Sequence, residues 1–234
     1  MKKTIIFVLA IFAGVLAHAE NSSEWVKVAD QIRNPSESYT MKIKVEDGSE
    51  EHIYEVFLKG QNQTLIVTKE PARDKGRNML MQERDFQSYI PNLKRSMKLS
   101  LSQKLSGQVA NGDISRTRWF GDYDVRVDAA SKDPKTDLLI LKANKPNLTY
   151  EWIHLKLEKK THRPVEAEYI GLNGKTILKK ATFLDYKTME GAERPTTLKI
   201  QDPAGQTSFI RIQAMQKKDL ADSFFTVRNM ETLR

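Results

Sequence analysis

The sequence predicts a mainly β (α+β) protein in which one curved antiparallel sheet of about eleven strands carries a few helices on its concave side. Three observations predict it. From Ser38 onward the apolar period changes from helical to two and keeps that rhythm almost to the C terminus. The alternating runs are joined by short turns, with no segment long enough for a crossover helix, so neighbouring strands pair antiparallel. One long stretch breaks the pattern: residues 100 to 121, SLSQKLSGQVANGDISRTRWFG, are polar and punctuated by glycine. A sheet of that many strands must curl.

The elements follow in order. Lys2 and Lys3 precede an apolar run from Thr4 to Ala17 and the small-x-small triplet Ala17, His18, Ala19. This pattern reads as a secretory signal peptide, residues 1–19, cleaved after Ala19, because the apolar run is too short to span a bilayer. The mature chain is then residues 20–234, one domain, placed in a bacterial periplasm. Ser22 and Ser23 cap the next segment, in which Trp25, Val28, Ala29 and Ile32 form one stripe at helical spacing before Asn34-Pro35 ends it.

Tyr39, Met41, Ile43 and Val45 then alternate with Lys42, Lys44 and Glu46, and Asp47-Gly48 marks a turn. Strands are expected at Tyr54 to Leu58, Thr64 to Thr68, Met79 to Met81, Phe86 to Ile90 and Tyr123 to Val127. The series continues through Leu138 to Leu141, Tyr150 to Leu157, Val165 to Tyr169, Ile177 to Tyr186, Thr197 to Ile200 and Phe209 to Ile212. Asn173-Gly174 is a hairpin turn within that series. In the hairpin 79–90, turned at Glu83, Arg84 and Asp85, apolar side chains fall on both faces. Something must therefore cover the second face. The excursion 100–121 is expected to hold a short helix.

The chain carries a formal charge of +8, or +6 once Lys2 and Lys3 leave with the leader. Solubility accounts for that charge, with attraction to anionic lipid headgroups as the competing reading. The basic cluster Lys94, Arg95, Lys98 and Lys104 reads as a guarded sheet edge, or as a contact for a phosphate headgroup or an acidic partner. No nucleic-acid partner is expected, and a monomer is. There is no cysteine, which removes thiolate catalysis, cysteine zinc sites and an N-terminal lipidated Cys. No G-x-S-x-G, H-E-x-x-H or P-loop occurs, and the histidines beyond the leader, His52, His154 and His162, are scattered. Neither enzyme activity nor a metal or other cofactor is expected. Glu83 and Asp85 are turn residues before they are an acid–base pair.

A curled sheet has a concave face that so few helices cannot fill, which leaves room for a cavity. Parity turns Tyr39, Met41, Ile43, Tyr54, Val56 and Leu58 inward, because Lys42, Lys44 and Glu55 take the other face. With Met79, Met81 and Tyr89 they form the expected apolar lining, and flexible methionines suit irregular apolar partners. Val109, Ile114, Trp119 and Phe120 are the expected apolar surface of a lid formed by residues 100–121, with Gly107, Gly112 and Gly121 as places for the backbone to turn.

Residues 79–113, MLMQERDFQSYIPNLKRSMKLSLSQKLSGQVANGD, resemble the outer-membrane lipoprotein-sorting proteins of the LolA-like superfamily. The matching features are an apolar strand, an acidic turn, an aromatic strand ending Tyr89-Ile90-Pro91, the basic Lys94-Arg95, then Ser102-Gln103, Gly107 and Gly112-Asp113. Residues 161–202 are similar to the family's paired strands, with Pro164, Asn173-Gly174 and Arg194-Pro195 in place, and DSFFTVRNME, residues 222–231, is similar to its C terminus. Gln87 stands where many relatives have tryptophan, and Arg118-Trp119-Phe120 has no counterpart. The resemblance implies an incomplete β-barrel closed by helices, without enzyme chemistry. It also implies a periplasmic carrier that shields the acyl chains of a lipid or lipoprotein, receives them from an inner-membrane transporter complex and passes them to an outer-membrane acceptor. The alternative on the same scaffold is an envelope lipid or lipoprotein sensor, or an accessory binding module of an RND-type exporter, with no cargo transfer.

Overall fold

The computed structural model describes residues 22–116 and 118–234; the leader expected over residues 1–19 lies outside the described residues. Helix α1 runs over residues 22–33. The first strands are β1 (Tyr39–Asp47), β2 (Glu50–Lys59), β3 (Gln63–Glu70), β4 (Met79–Gln82), β5 (Asp85–Ile90) and β6 (Arg95–Leu99). A small hairpin, β7 (Lys104–Ser106) and β8 (Val109–Ala110), leads into α2 (Asn111–Ile114). Then come β9 (Tyr123–Val127), β10 (Thr136–Ala143), β11 (Trp152–Glu158), β12 (Pro164–Ile170), β13 (Ile177–Met189), β14 (Ala192–Gln201) and β15 (Thr207–Lys217), and α3 (Val227–Thr232) closes the chain.

Every alternating run corresponds to a strand, although β11 starts at Trp152, two residues after the expected Tyr150, and among the described residues the main sheet has thirteen strands rather than about eleven. The strand missing from the sequence expectation is β6, whose Met97 and Leu99 alternate with Ser96 and Lys98. The hairpin β7–β8 forms a separate two-stranded sheet inside the excursion.

The strand order is β6-β5-β4-β3-β2-β1-β15-β14-β13-β12-β11-β10-β9, and every pairing is antiparallel. The sheet curls without closing, and β6 and β9 are its two edges. The chain leaves the sheet at one edge and re-enters at the other, so the excursion between them spans the open seam. Arg95 and Lys98 stand exposed on β6, as an edge protected against strand addition requires.

Tyr39, Met41, Ile43, Tyr54, Val56 and Leu58 all turn inward into the main core, while Lys42 is exposed and Lys44 and Glu55 are half-exposed. Each aliphatic side chain buried in this way stabilises the fold by about 1.5–3 kcal/mol. Helix α1 lies on the concave side, with Val26 and Ala29 in the core and Trp25 partly covered. Its buried stripe differs from the expected one. Asp30 and Arg33 are buried, whereas Val28 and Ile32 are half-exposed, because the polar pair finds partners in the excursion.

A second cluster answers the question raised by the hairpin 79–90. Phe57, Leu65, Val67 and Leu80 on the outer face are covered by Leu220, Phe225 and Met230 of the C-terminal segment. Thr226 caps α3 by accepting the Asn229 backbone N–H. Asn78 fastens the segment by donating to the carbonyls of Met230 and Leu233, at 2.9 and 2.8 Å.

Candidate functional site

An open cavity of about 390 Å³ lies between the inner face of β2–β6 and the stretch Gln103–Leu105 entering the hairpin β7–β8. Its apolar wall is Tyr54, Met79, Ile90, Met97, Leu99 and Leu105. Register places this wall: Met79, Ser88 and Met97 stand directly opposite one another on three neighbouring strands. His52, Asp74, Arg77 and Lys104 add charged or titratable groups to the lining. The volume falls in the range of ordinary small-ligand sites, about 300–1,000 Å³.

His52 joins wall to cover. Its Nε2 is 3.7 Å from Asp74 Oδ2, its Nδ1 is 3.4 Å from Ser106 Oγ on β7, and its ring stacks on Tyr54 at 6.2 Å. Burial, reinforced by Asp74, holds the Tyr54 phenol well above its ordinary pKa, so it stays neutral. The result is an apolar floor with polar groups at its margin. Such a site can take a hydrocarbon chain inward and leave a polar head beside Arg77 and Lys104.

Of the residues expected to line a cavity, Tyr54 and Met79 border this one, and Met41 with Tyr54 borders a second opening of about 350 Å³ formed by β1, β2, β3 and β15. Tyr39, Ile43, Val56, Leu58 and Met81 belong to the packed inner core, among α1 and the excursion. Tyr89 lies on the opposite face: Phe86, which shares the inner parity with Ser88 and Ile90, is in the main core, whereas Tyr89 packs on the outer cluster beneath the C-terminal segment.

The residues expected to form a lid are deep, not at the mouth. Val109, Ile114 and Trp119 are buried in the main core and Phe120 is half-buried against it. Polar contacts hold them there. Asp30 Oδ2 accepts the backbone N–H groups of Trp119 and Phe120 at 2.6 and 2.7 Å, and the Arg33 guanidinium lies 3.5 Å over the Trp119 ring. Asn34 donates to the Arg116 carbonyl at 2.7 Å, and Arg116 returns a bond to the Arg33 carbonyl. Lys179 pairs with Asp113 at 2.6 Å, both nearly buried. The piece that covers the cavity is the preceding stretch and the hairpin β7–β8.

Met97, Leu99, Leu105 and His52 were not among the residues expected to line the cavity. Met97 and Leu99 carried a usable signal, the alternation around Lys98. His52 carried none, because its partners Asp74 and Ser106 are distant in sequence.

Residues 60–232 match a protein-family model described as "Uncharacterized protein". No curated protein matches the sequence. The fold is similar to that of a LolA superfamily protein from Nitrosomonas europaea, with 30% sequence identity and a TM-score of 0.80, over 89% of this chain and 98% of that one. A DUF1329 family protein from Desulfovibrio piger shares the fold at 18% identity and a TM-score of 0.76, over 91% of this chain and 99% of that one. A domain named for outer membrane lipoprotein sorting, from Vibrio parahaemolyticus, does so at 18% identity and a TM-score of 0.74, again over 91% and 99%. The extent and identity of the first match place the family: this chain belongs to the LolA superfamily.

Proposed function

We propose that the protein is a periplasmic carrier that takes an acyl chain of a lipid or lipoprotein into the cavity beneath β7–β8 and passes it towards the outer membrane. The cavity carries this reading, since an apolar wall of methionine, leucine, isoleucine and tyrosine meets Arg77 and Lys104 at its margin. Each buried methylene stabilises the bound state by roughly 0.8 kcal/mol, so an acyl chain can be held without a dedicated polar motif. A volume of about 390 Å³ suits one chain, and further chains require the hairpin to lift. The role is binding, not catalysis. An inner-membrane donor and an outer-membrane acceptor are the partners that such a carrier needs.

The test is to purify the full chain as the cell exports it, extract it with organic solvent and identify the lipids by mass spectrometry. A fluorescent fatty acid serves as a displacement probe alongside. The expected result is a co-purifying acyl lipid and saturable probe binding, with Met79→Trp, which fills the cavity, losing at least about tenfold in probe affinity. A chain that carries no lipid and binds no probe would overturn the proposal.

A further inference from the structure

The turn between β12 and β13 exposes large apolar side chains that the cavity does not use. Leu172 is 87% exposed, Leu178 47% and Ile177 43%. Scattered exposed leucines are ordinary. Here Leu172 lies in the turn, Ile177 and Leu178 open β13 directly after it, and Trp152 on the adjoining strand β11 packs beside Gly174.

The turn is held in shape. Asn173 Oδ1 accepts the backbone N–H groups of Lys175 and Thr176 at 3.0 and 2.9 Å, and Gly171 N–H donates to the Thr176 carbonyl at 2.9 Å. Gly174 takes a positive φ of 67° there, and a Cβ on it would come within 3.5 Å of the Trp152 indole. Leu172 is thus presented on a defined turn.

The exposed cations at this tip are Lys175 on the turn and Lys142 on β10, whereas Lys179 is buried against Asp113 and Lys180 pairs with Glu166. Lys142 on the adjoining strand sits 5.1 Å over the Trp152 ring. A tryptophan, exposed leucines and flanking lysines match the three layers of a membrane interface: hydrocarbon, headgroup boundary and phosphate.

The tip also lies at the functional end of the sheet. Register runs from Ala181 through Ile200, Ser208 and Asp47 to Glu50, so the turn after β12 projects at the same end as the start of β2, near His52. We infer that the β12–β13 tip is a membrane-docking surface that sets Leu172, Ile177 and Leu178 into the boundary of an anionic lipid leaflet, with Lys175 and Lys142 towards the phosphates. A second copy of the chain is the weaker occupant, because a two-fold contact through this tip would bring two sets of lysines together. The inference goes beyond the carrier reading and stands whether or not the cavity binds lipid.

Sedimentation of the full chain with vesicles tests it. The vesicles are phosphatidylethanolamine mixed with phosphatidylglycerol, compared with phosphatidylcholine alone. The expected result is co-sedimentation with the anionic vesicles that weakens with salt, at least about tenfold lower partitioning for Leu172→Ser/Leu178→Ser, and a loss confined to anionic vesicles for Lys175→Glu. Unchanged circular dichroism would show that these surface variants are folded. The inference is overturned if the wild-type chain ignores anionic vesicles at low salt or if the double serine variant sediments like the wild type. It is overturned too if sedimentation velocity shows a concentration-dependent dimer that the double variant abolishes, which assigns the tip to a second copy.

Discussion

Asp30 has no exposed surface, and the fold tolerates its charge only because three donors meet it: Arg33 at 2.6 Å and the backbone N–H groups of Trp119 and Phe120. Removing the carboxylate leaves Arg33 and both amides without that partner. Asp30→Ala should therefore cost about 3–5 kcal/mol in urea unfolding, and Asp30→Asn less, since its amide oxygen can still accept from one amide. A loss below about 1 kcal/mol for the alanine variant would show that α1 is not tied to the seam through this residue. Burial lowers the Arg116 guanidinium to about 10, yet it remains charged at neutral pH. With Arg194, which donates to the carbonyls of Gln31 and Ile32 at 2.7 and 2.8 Å, it closes the C-terminal end of α1. Gly112 makes a steric argument. A Cβ there would stand 1.9 Å from Thr149 Oγ1 and 2.7 Å from its Cγ2, so Gly112→Ala should destabilise by about 1–3 kcal/mol. Adding Thr149→Ala should restore part of that loss in thermal unfolding, and no recovery would place the strain elsewhere.

At the scale of elements the excursion divides in two. Its second half, residues 109–120, is fastened by Asp30, Asn34, Lys179 and the hydroxyl of Thr64, which donates to the Ser115 carbonyl at 3.1 Å. Its first half meets the wall between residues 102 and 107 through a weaker contact, Ser106 to His52 at 3.4 Å, whereas Gln108 is firmly held, its N–H donating to Ser208 Oγ at 3.0 Å and its carbonyl accepting from Lys179 at 2.7 Å. Hydrogen exchange with and without a bound fatty acid should accordingly change in residues 102–107 and stay nearly constant in 108–120. Uniform change across both halves would restore the larger lid expected from the sequence. The strands were legible because alternation is local and each parity choice is enforced by a charged neighbour, as Lys42 enforces Met41. The stripe of α1 was misread because apolarity alone selected Val28 and Ile32, whereas Asp30 and Arg33 are buried by partners some 90 residues away in sequence. Tyr89 was misassigned for a related reason. Both faces of the hairpin 79–90 are apolar, and the C-terminal segment with Leu220, Phe225 and Met230, distant in sequence, decides which face is outer. Excising residues 221–234 should expose Phe57, Leu65 and Val67 and give a chain that binds a hydrophobic dye, and a truncated chain that stays dye-silent with unchanged stability would deny the segment this covering role.

For the molecule as a whole, the topology sets the first and last strands side by side at the centre of the sheet, β1 on β15, and leaves the seam to the middle of the chain. Asp122 staples that seam. It is 4% exposed and holds Lys145 at 2.8 Å, Arg118 at 3.1 Å and Arg84 at 3.7 Å. Ion pairs across the sheet also set the pH response. Hydrogen bonding to Arg211 holds the Glu46 carboxyl below its ordinary value of 4.5, and hydrogen bonding to Lys217 does the same for Glu37. For Glu166 burial pushes upward, but hydrogen bonds from Lys180 and Lys156 outweigh it, and its value too is lowered. A carboxyl whose folded pKa lies below its unfolded one stabilises the protein fully above the unfolded value, and that contribution disappears as pH falls through the folded value. The unfolded chain binds protons first, so acid draws the equilibrium towards unfolding. Melting temperature should thus stay nearly level from pH 7 to about 5 and fall progressively below about 4.5. Glu46→Gln and Glu166→Gln should flatten that acid decline while lowering stability at neutral pH. A melting temperature that drops as steeply between pH 7 and 5 as it does below 4.5 would transfer the response from these carboxylates to the histidines.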